Sequence, residues 1–109
     1  MPAWSSSACP SGFQGSAEVG EYTLAGSFLS NISNVVAAVG SPFSGQLQGS
    51  VGALLKFGGV SVSTGGTLKW MVGCYSGVGG TGAQKLVQSV YVTLAAGGST
   101  YNTNPTPPA

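Results

Sequence analysis

Between Gln46 and Phe57 the chain reads QLQGSVGALLKF, a pattern that carries two periods at once. Leu47, Val51, Leu54 and Leu55 recur at helical spacing, while every second residue from Leu47 to Phe57 is apolar or small, as on the buried face of a strand. A helix over the whole stretch would hold Gly49 and Gly52 in its interior, at about 1 kcal/mol each relative to alanine. It would also turn Ala53 and Phe57 away from the apolar stripe. In a strand, Leu47, Gly49, Val51, Ala53, Leu55 and Phe57 share one face. Gln46, Gln48, Ser50, Gly52, Leu54 and Lys56 share the other, and Gly58-Gly59 supplies a turn or bulge. The pattern predicts a strand, with Leu54 the one misfit.

The same alternation recurs downstream. In VSVST (60–64), Val60 and Val62 alternate with Ser61 and Ser63. TLKWMVGCY (67–75) sets Leu68, Trp70, Val72 and Cys74 against Thr67, Lys69, Met71 and Tyr75. QKLVQSVYVTLA (84–95) sets Leu86, Val90, Val92 and Leu94 against Lys85, Ser89, Tyr91 and Thr93. Lys56, Lys69 and Lys85 all fall on the wetter face of their segments, as a correct register requires. Gly65-Gly66 and SGVGGTGA (76–83) read as connecting turns. AEVGEYTLAG (17–26) is a weaker strand with Val19, Tyr22 and Leu24.

One segment departs from this period. In SFLSNISNVVAAVG (27–40), Phe28, Leu29, Ile32, Val35, Val36 and Val39 follow helical spacing. Ser27 suits an N-cap, and Gly40 before Ser41-Pro42 suits a stop. The expected architecture is therefore mainly β: an antiparallel, sandwich-like body of about five strands over 16–95, with one short amphipathic helix over 27–39. An irregular N-terminal arm (1–15) is tied down by Cys9 and by Trp4 or Phe13. An extended, Pro-rich C-terminal tail (96–109) cannot be helical.

Composition narrows the function. At 109 residues the chain is sized for one domain. Soluble domains are about a quarter charged, but here only Glu18, Glu21, Lys56, Lys69 and Lys85 carry charge, 5% of the chain, with no Asp, Arg or His. A surface of Gly, Ser, Thr, Gln and Asn with net charge +1 resists association weakly. Disorder is not the reading, because 42% of the residues are hydrophobic. Cys9 and Cys74 read as a disulfide formed in an oxidising compartment, within one chain or between two, with two separate buried thiols as the alternative. Two thiolates without His cannot complete a zinc site. The first ten residues, MPAWSSSACP, lack the charge and apolar run of a signal peptide, so Met1 is either an addition to a mature form or export takes another route. No apolar run reaches the 18 or so residues of a membrane helix.

The chemistry-bearing motifs are few. GVGGTG (Gly77, Gly79, Gly82) fits a dinucleotide fingerprint in spacing but leads into a strand pattern with no acidic residue beyond it, so a hairpin loop is the better account. Glu18 and Glu21, three apart on a strand, point to opposite faces and make no acid–base pair. Without His no serine is activated, and neither cysteine has an activating neighbour in sequence. These absences argue against an enzyme, a cofactor or a metal, and three scattered lysines argue against nucleic-acid binding. Asn31 heads an Asn-Ile-Ser glycosylation sequon. Trp4, Trp70, Tyr22, Tyr75, Tyr91 and Tyr101 are candidates for a sugar-stacking platform, with a core position expected for Trp70 and cross-strand pairs for Tyr75 and Tyr91.

The function these features favour is a non-enzymatic subunit of the cell surface or extracellular space. It assembles with copies of itself into a filament, sheath or shell by exchanging strands or arms. The expected contact face comprises Gln46, Gln48, Ser50 and Leu54 together with Tyr75 and Tyr91. Two alternatives are an oligomeric β-barrel pore in a cell envelope, the only reading that involves a membrane, and a small glycan-binding module.

Overall fold

A computed structural model describes residues 3–104. Eight strands and one α-helix form two layers. The main sheet holds β2 (Ser16–Tyr22), β3 (Phe28–Asn31), β4 (Val36–Ala37), β6 (Gly66–Tyr75), β7 (Gln84–Leu94) and β8 (Tyr101–Asn104). Its order is β3-β2-β6-β7-β8, every pairing is antiparallel, and β4 joins β2 beside β3. The second layer is a two-stranded ribbon of β1 (Ala3–Ser6) and β5 (Phe43–Gln46), followed by α1 (Val51–Phe57).

The alternation seen in 67–75 and 84–95 is the one the sheet uses. Leu68, Trp70, Val72 and Cys74 of β6 are buried, as are Val92 and Leu94 of β7, and Ala17, Val19 and Glu21 of β2 share their face by register. Across from this core face, Lys69, Met71 and Tyr75 lie on the outer face with Glu18 and Tyr22. Between Val72 and Gly73 the β7 register slips by one residue, leaving Val87 as a bulge between Leu86 and Gln88. Leu86 is thereby transferred to the outer face, where it is exposed, away from the core stripe its sequence position implied.

The mainly antiparallel fold with a single helix stands, but the helix is elsewhere. The 27–39 segment is not helical; it forms β3 and β4, both on the free side of β2. Only Ile32 and Val39 of its apolar stripe are fully buried, while Phe28, Leu29 and Val35 face outward. A helix there would leave the edge of β2 away from β6 unpaired, and its β-branched Ile and Val residues fit a pleated sheet at least as well. Where β3 ends, the side chain of Ser33 replaces the ladder: its Oγ accepts from the Val19 N–H at 2.8 Å, in the buried interior. Ile32 N–H donates to Val19 O on the same strand.

The 46–57 stretch is the converse correction. It is not one strand: β5 ends at Gln46 and the helix begins at Val51. Ser50 caps the helix, its Oγ accepting from Ala53 N–H at 3.2 Å, and Gly58 closes it by donating to Leu54 O. Gly49 therefore lies outside the helix, and Gly52 falls in its first turn, so the glycine cost is smaller than a full-length helix would incur. Burial of Val51, Leu54 and Leu55, at roughly 1.5–3 kcal/mol each, outweighs it. VSVST (60–64) is a turn rather than a strand.

The arms fold back onto their own chain. In the N-terminal arm β1 pairs with β5, and Trp4 packs edge-on against Phe43 with ring centroids 5.6 Å apart. In the C-terminal segment β8 pairs with the last four residues of β7, and the Pro-rich end (105–109) lies outside the described residues, as does Met1. Cys9 and Cys74 are joined in a buried intrachain disulfide, Cα atoms 5.9 Å apart, which ties the N-terminal segment to β6 and fits an oxidising compartment. Among the described residues no helix is long and apolar enough to cross a membrane.

Candidate interaction surfaces on the main sheet

The described residues leave two surfaces of the main sheet uncovered. The first is an edge. The β8 strand pairs with β7 only from Tyr91 to Leu94, so from Gln84 to Val90 no described strand lies on that side. Gln84, Lys85, Leu86, Val87 and Gln88 are all exposed along it. The far side of the sheet ends in β3, which pairs only with β2 and exposes Phe28 and Leu29.

The second surface is the outer face. At its β3 end, Tyr22, Phe28, Asn31, Tyr75, Gln84 and Leu86 surround a depression of about 310 Å³. Two glycines shape its floor. A Cβ at Gly20 would lie 2.9 Å from the Tyr22 ring, and one at Gly73 would lie 2.8 Å from Gln84 Nε2. With hydrogen in both places, Tyr22 and Gln84 lie close over the backbone instead of standing upright. Phe28 meets Tyr22 edge-to-face with centroids 5.4 Å apart. Gln84 Nε2 donates to Tyr75 Oη at 2.9 Å, and the buried Glu18 carboxyl lies beneath Tyr75. Burial raises the pKa of Glu18, against the lowering effect of the Tyr75 hydroxyl. Burial likewise raises the pKa values of Tyr22 and Tyr75, assisted by the nearby Glu18 charge. The depression is thus lined by aromatic and amide side chains, with the Glu18 carboxyl beneath Tyr75. Lys69, which pairs with Tyr22 in register, holds its ammonium over the Tyr91 ring at 5.5 Å.

Glu18 and Glu21 do point to opposite faces. Glu21 lies in the core, fully buried, with Oε2 accepting from Trp70 Nε1 at 2.8 Å and Oε1 without a hydrogen-bond partner among the described residues. A further slot of about 240 Å³ runs between β1 and the core face, lined mainly by Trp4, Val19, Leu47, Trp70, Val72 and Val90. No group of His, Cys, Asp and Glu able to hold a metal occurs among the described residues.

The six residues expected to form one contact face are dispersed. Gln46, Gln48, Ser50 and Leu54 belong to the layer over the core face, where Leu54 is buried under the helix, Ser50 is its cap and Gln48 bonds Asn34. Tyr75 and Tyr91 lie on the opposite, outer face. The first four were grouped by a strand period that the helix replaces. Of the candidate aromatics, Trp70 is buried and only Tyr22 and Tyr75 reach the same depression. Phe28, Asn31, Gln84 and Leu86 complete it, and only pairing across four strands could have gathered them. Asn31 is exposed, whereas Ser33 of its sequon is buried and committed to Val19 and Asn34. No family model, curated protein or solved structure matches the chain.

Proposed function

We propose that this protein is a non-enzymatic structural subunit, exported to the cell surface or beyond, that assembles with copies of itself edge to edge. The observation that carries this reading is the side of β7 from Gln84 to Val90, a row of ladder positions that no described strand pairs, next to exposed Leu86 and Val87. Its protection is slight, one lysine (Lys85) and the bulge at Val87. The opposite sheet edge is β3, a different sequence. Joining one subunit's β7 to the next subunit's β3 is a head-to-tail contact, which propagates into a fibre unless a rotation closes it. A net charge of +1 leaves little repulsion to oppose it. The pore reading has less support: among the described strands only β6, with 10 residues, and β7, with 11, have bilayer-spanning length, and a ribbon and helix cover the core face.

Sedimentation velocity over a concentration series, with electron microscopy of the native protein, tests this. The Val87→Lys variant places a second charge on the open edge and should shift the distribution to monomer while leaving the circular dichroism spectrum unchanged. A wild-type chain that stays monomeric at high concentration defeats the proposal.

A further inference from the structure

The Asn-Ile-Ser sequon headed by Asn31 opens onto the outer-face depression, and a slip in register puts it there. Tyr22 pairs with Phe28, but Glu21 pairs with Ser30 and Gly20 with Asn31, which leaves Leu29 as a bulge. In an unbroken strand, residues three apart point to opposite faces. The bulge instead brings Phe28 and Asn31 to one face, where both are exposed and both line the depression. Directly across from Asn31 is Gly20, and the Tyr22 ring lies over it in place of a side chain. Phe28 meets that ring edge-on, yet is itself 56% exposed. A group carried on the Asn31 amide therefore has an aromatic wall beside it and the Gln84 amide beyond.

The sequon names the occupant. Resting on the export part of the reading above, we propose that Asn31 carries an N-linked glycan whose first sugar lies in the depression against Phe28. A sugar ring offers a C–H face to pack on an aromatic ring and hydroxyls to exchange hydrogen bonds with an amide. The donor is an oligosaccharide on a polyisoprenyl pyrophosphate, used by a transferase of the export route. The Asn31 side-chain nitrogen bonds to the anomeric carbon, and the bond from that carbon to the pyrophosphate oxygen breaks. The amide proton passes to a base of the transferase, polyisoprenyl pyrophosphate leaves, and nothing is oxidised or reduced.

Ser33 sets the timing. The transferase reads the sequon hydroxyl, but in the folded chain Ser33 is 3% exposed, its Oγ accepting from Val19 N–H and donating to Asn34 O. Transfer thus precedes the docking of β3 on β2. The glycan also hydrates the surface of a chain in which only 5% of residues are charged. It stands on the face of the sheet, whereas the free ladder positions of β3 lie in its plane, so edge-to-edge joining is not opposed.

Mass spectrometry of the protein isolated from outside the cells of its natural source tests the site. Peptides spanning Asn31 should carry a sugar mass, and Asn31→Gln should remove it. In proton NMR spectra of the glycoprotein, the Phe28 ring should shift the ring protons of the first sugar upfield. Phe28→Leu keeps an apolar side chain at this exposed position, and should abolish that shift while leaving Asn31 occupied. A transferase supplied with lipid-linked donor should modify the reduced, unfolded chain and not the folded one. Bare Asn31 in the exported protein overturns the proposal, as does a sugar whose protons are indifferent to Phe28→Leu. Equal modification of folded and unfolded chains overturns the timing. Exported assemblies with bare Asn31 defeat this proposal alone, and a glycosylated chain that sediments as a monomer defeats the assembly reading alone.

Discussion

Trp70 and Glu21 face each other in register on adjacent strands, and the indole N–H donates to the carboxyl at 2.8 Å inside the core. The second oxygen of Glu21 has no hydrogen-bond partner among the described residues and rests against the backbone of Gly58, the residue that closes α1. A carboxylate in this position would be a buried charge with a single donor, so burial raises its pKa despite the Trp70 bond.

The protein should be most stable in mild acid. Burial raises the folded-state pKa values of Glu21 and Glu18 above the ordinary carboxylate value of 4.5. In the window from about pH 4.5 upward the folded chain therefore binds more protons than the unfolded one. The stability this supplies is complete below that value and is lost as the pH rises through the folded pKa values. Thermal melts at pH 4, 5, 6 and 7 should show a falling Tm. Glu21→Gln keeps an acceptor for Trp70 without the charge, so it should match wild type at pH 4, exceed it at pH 7 and flatten the profile. A wild-type Tm that rises from pH 4 to pH 7 contradicts the assignment.

Gly58→Ala should be strongly destabilising. A Cβ at that position would collide with the Glu21 carboxyl and with Leu68, both fixed in the core, and overpacking of this kind costs about 1–3 kcal/mol. Gly59→Ala is no clean control, since Gly59 has φ +101. Gly52→Ala is the better comparison: the nearest atom to its Cβ would be 3.9 Å away and alanine favours a helix. Chemical denaturation should rank the two variants on opposite sides of wild type.

Ser33→Ala removes the hydroxyl that accepts from Val19 N–H between β3 and β4. The orphaned buried donor should cost about 1–3 kcal/mol. Hydrogen exchange should show the Val19 amide losing protection more than its neighbours on β2.

Reduction of Cys9–Cys74 frees a loop with a sequence separation of 65, worth about 4 kcal/mol in the chain-entropy account. A Cys9→Ser, Cys74→Ser chain should melt well below wild type, and reductant should lower the wild-type Tm without affecting the double variant.

Some of this was legible in the residues themselves. The two-residue period of 67–75 and 84–95 named the strands, put Trp70 and Val92 inside and Tyr75 and Tyr91 outside, and the two cysteines announced their bond. Those segments are long, and each lies in the middle of a sheet or beside its centre, so local alternation and global burial agree. The helix could not be placed the same way. Residues 27–39 have the helical period, but the edge of β2 away from β6 takes strands there, and hydrogen bonding to β2 prevails over local spacing. Residues 51–57 have both periods, and the helix prevails because Ser50 caps it and Leu54 and Leu55 bury against the core. The bulge at Val87, the pairing of Glu21 with Trp70 and the meeting of Phe28, Asn31 and Gln84 each depend on register between strands distant in sequence. Alternation along a single strand says which residues share a face; which strand lies beside which is decided only when the whole sheet closes its hydrogen bonds over one core.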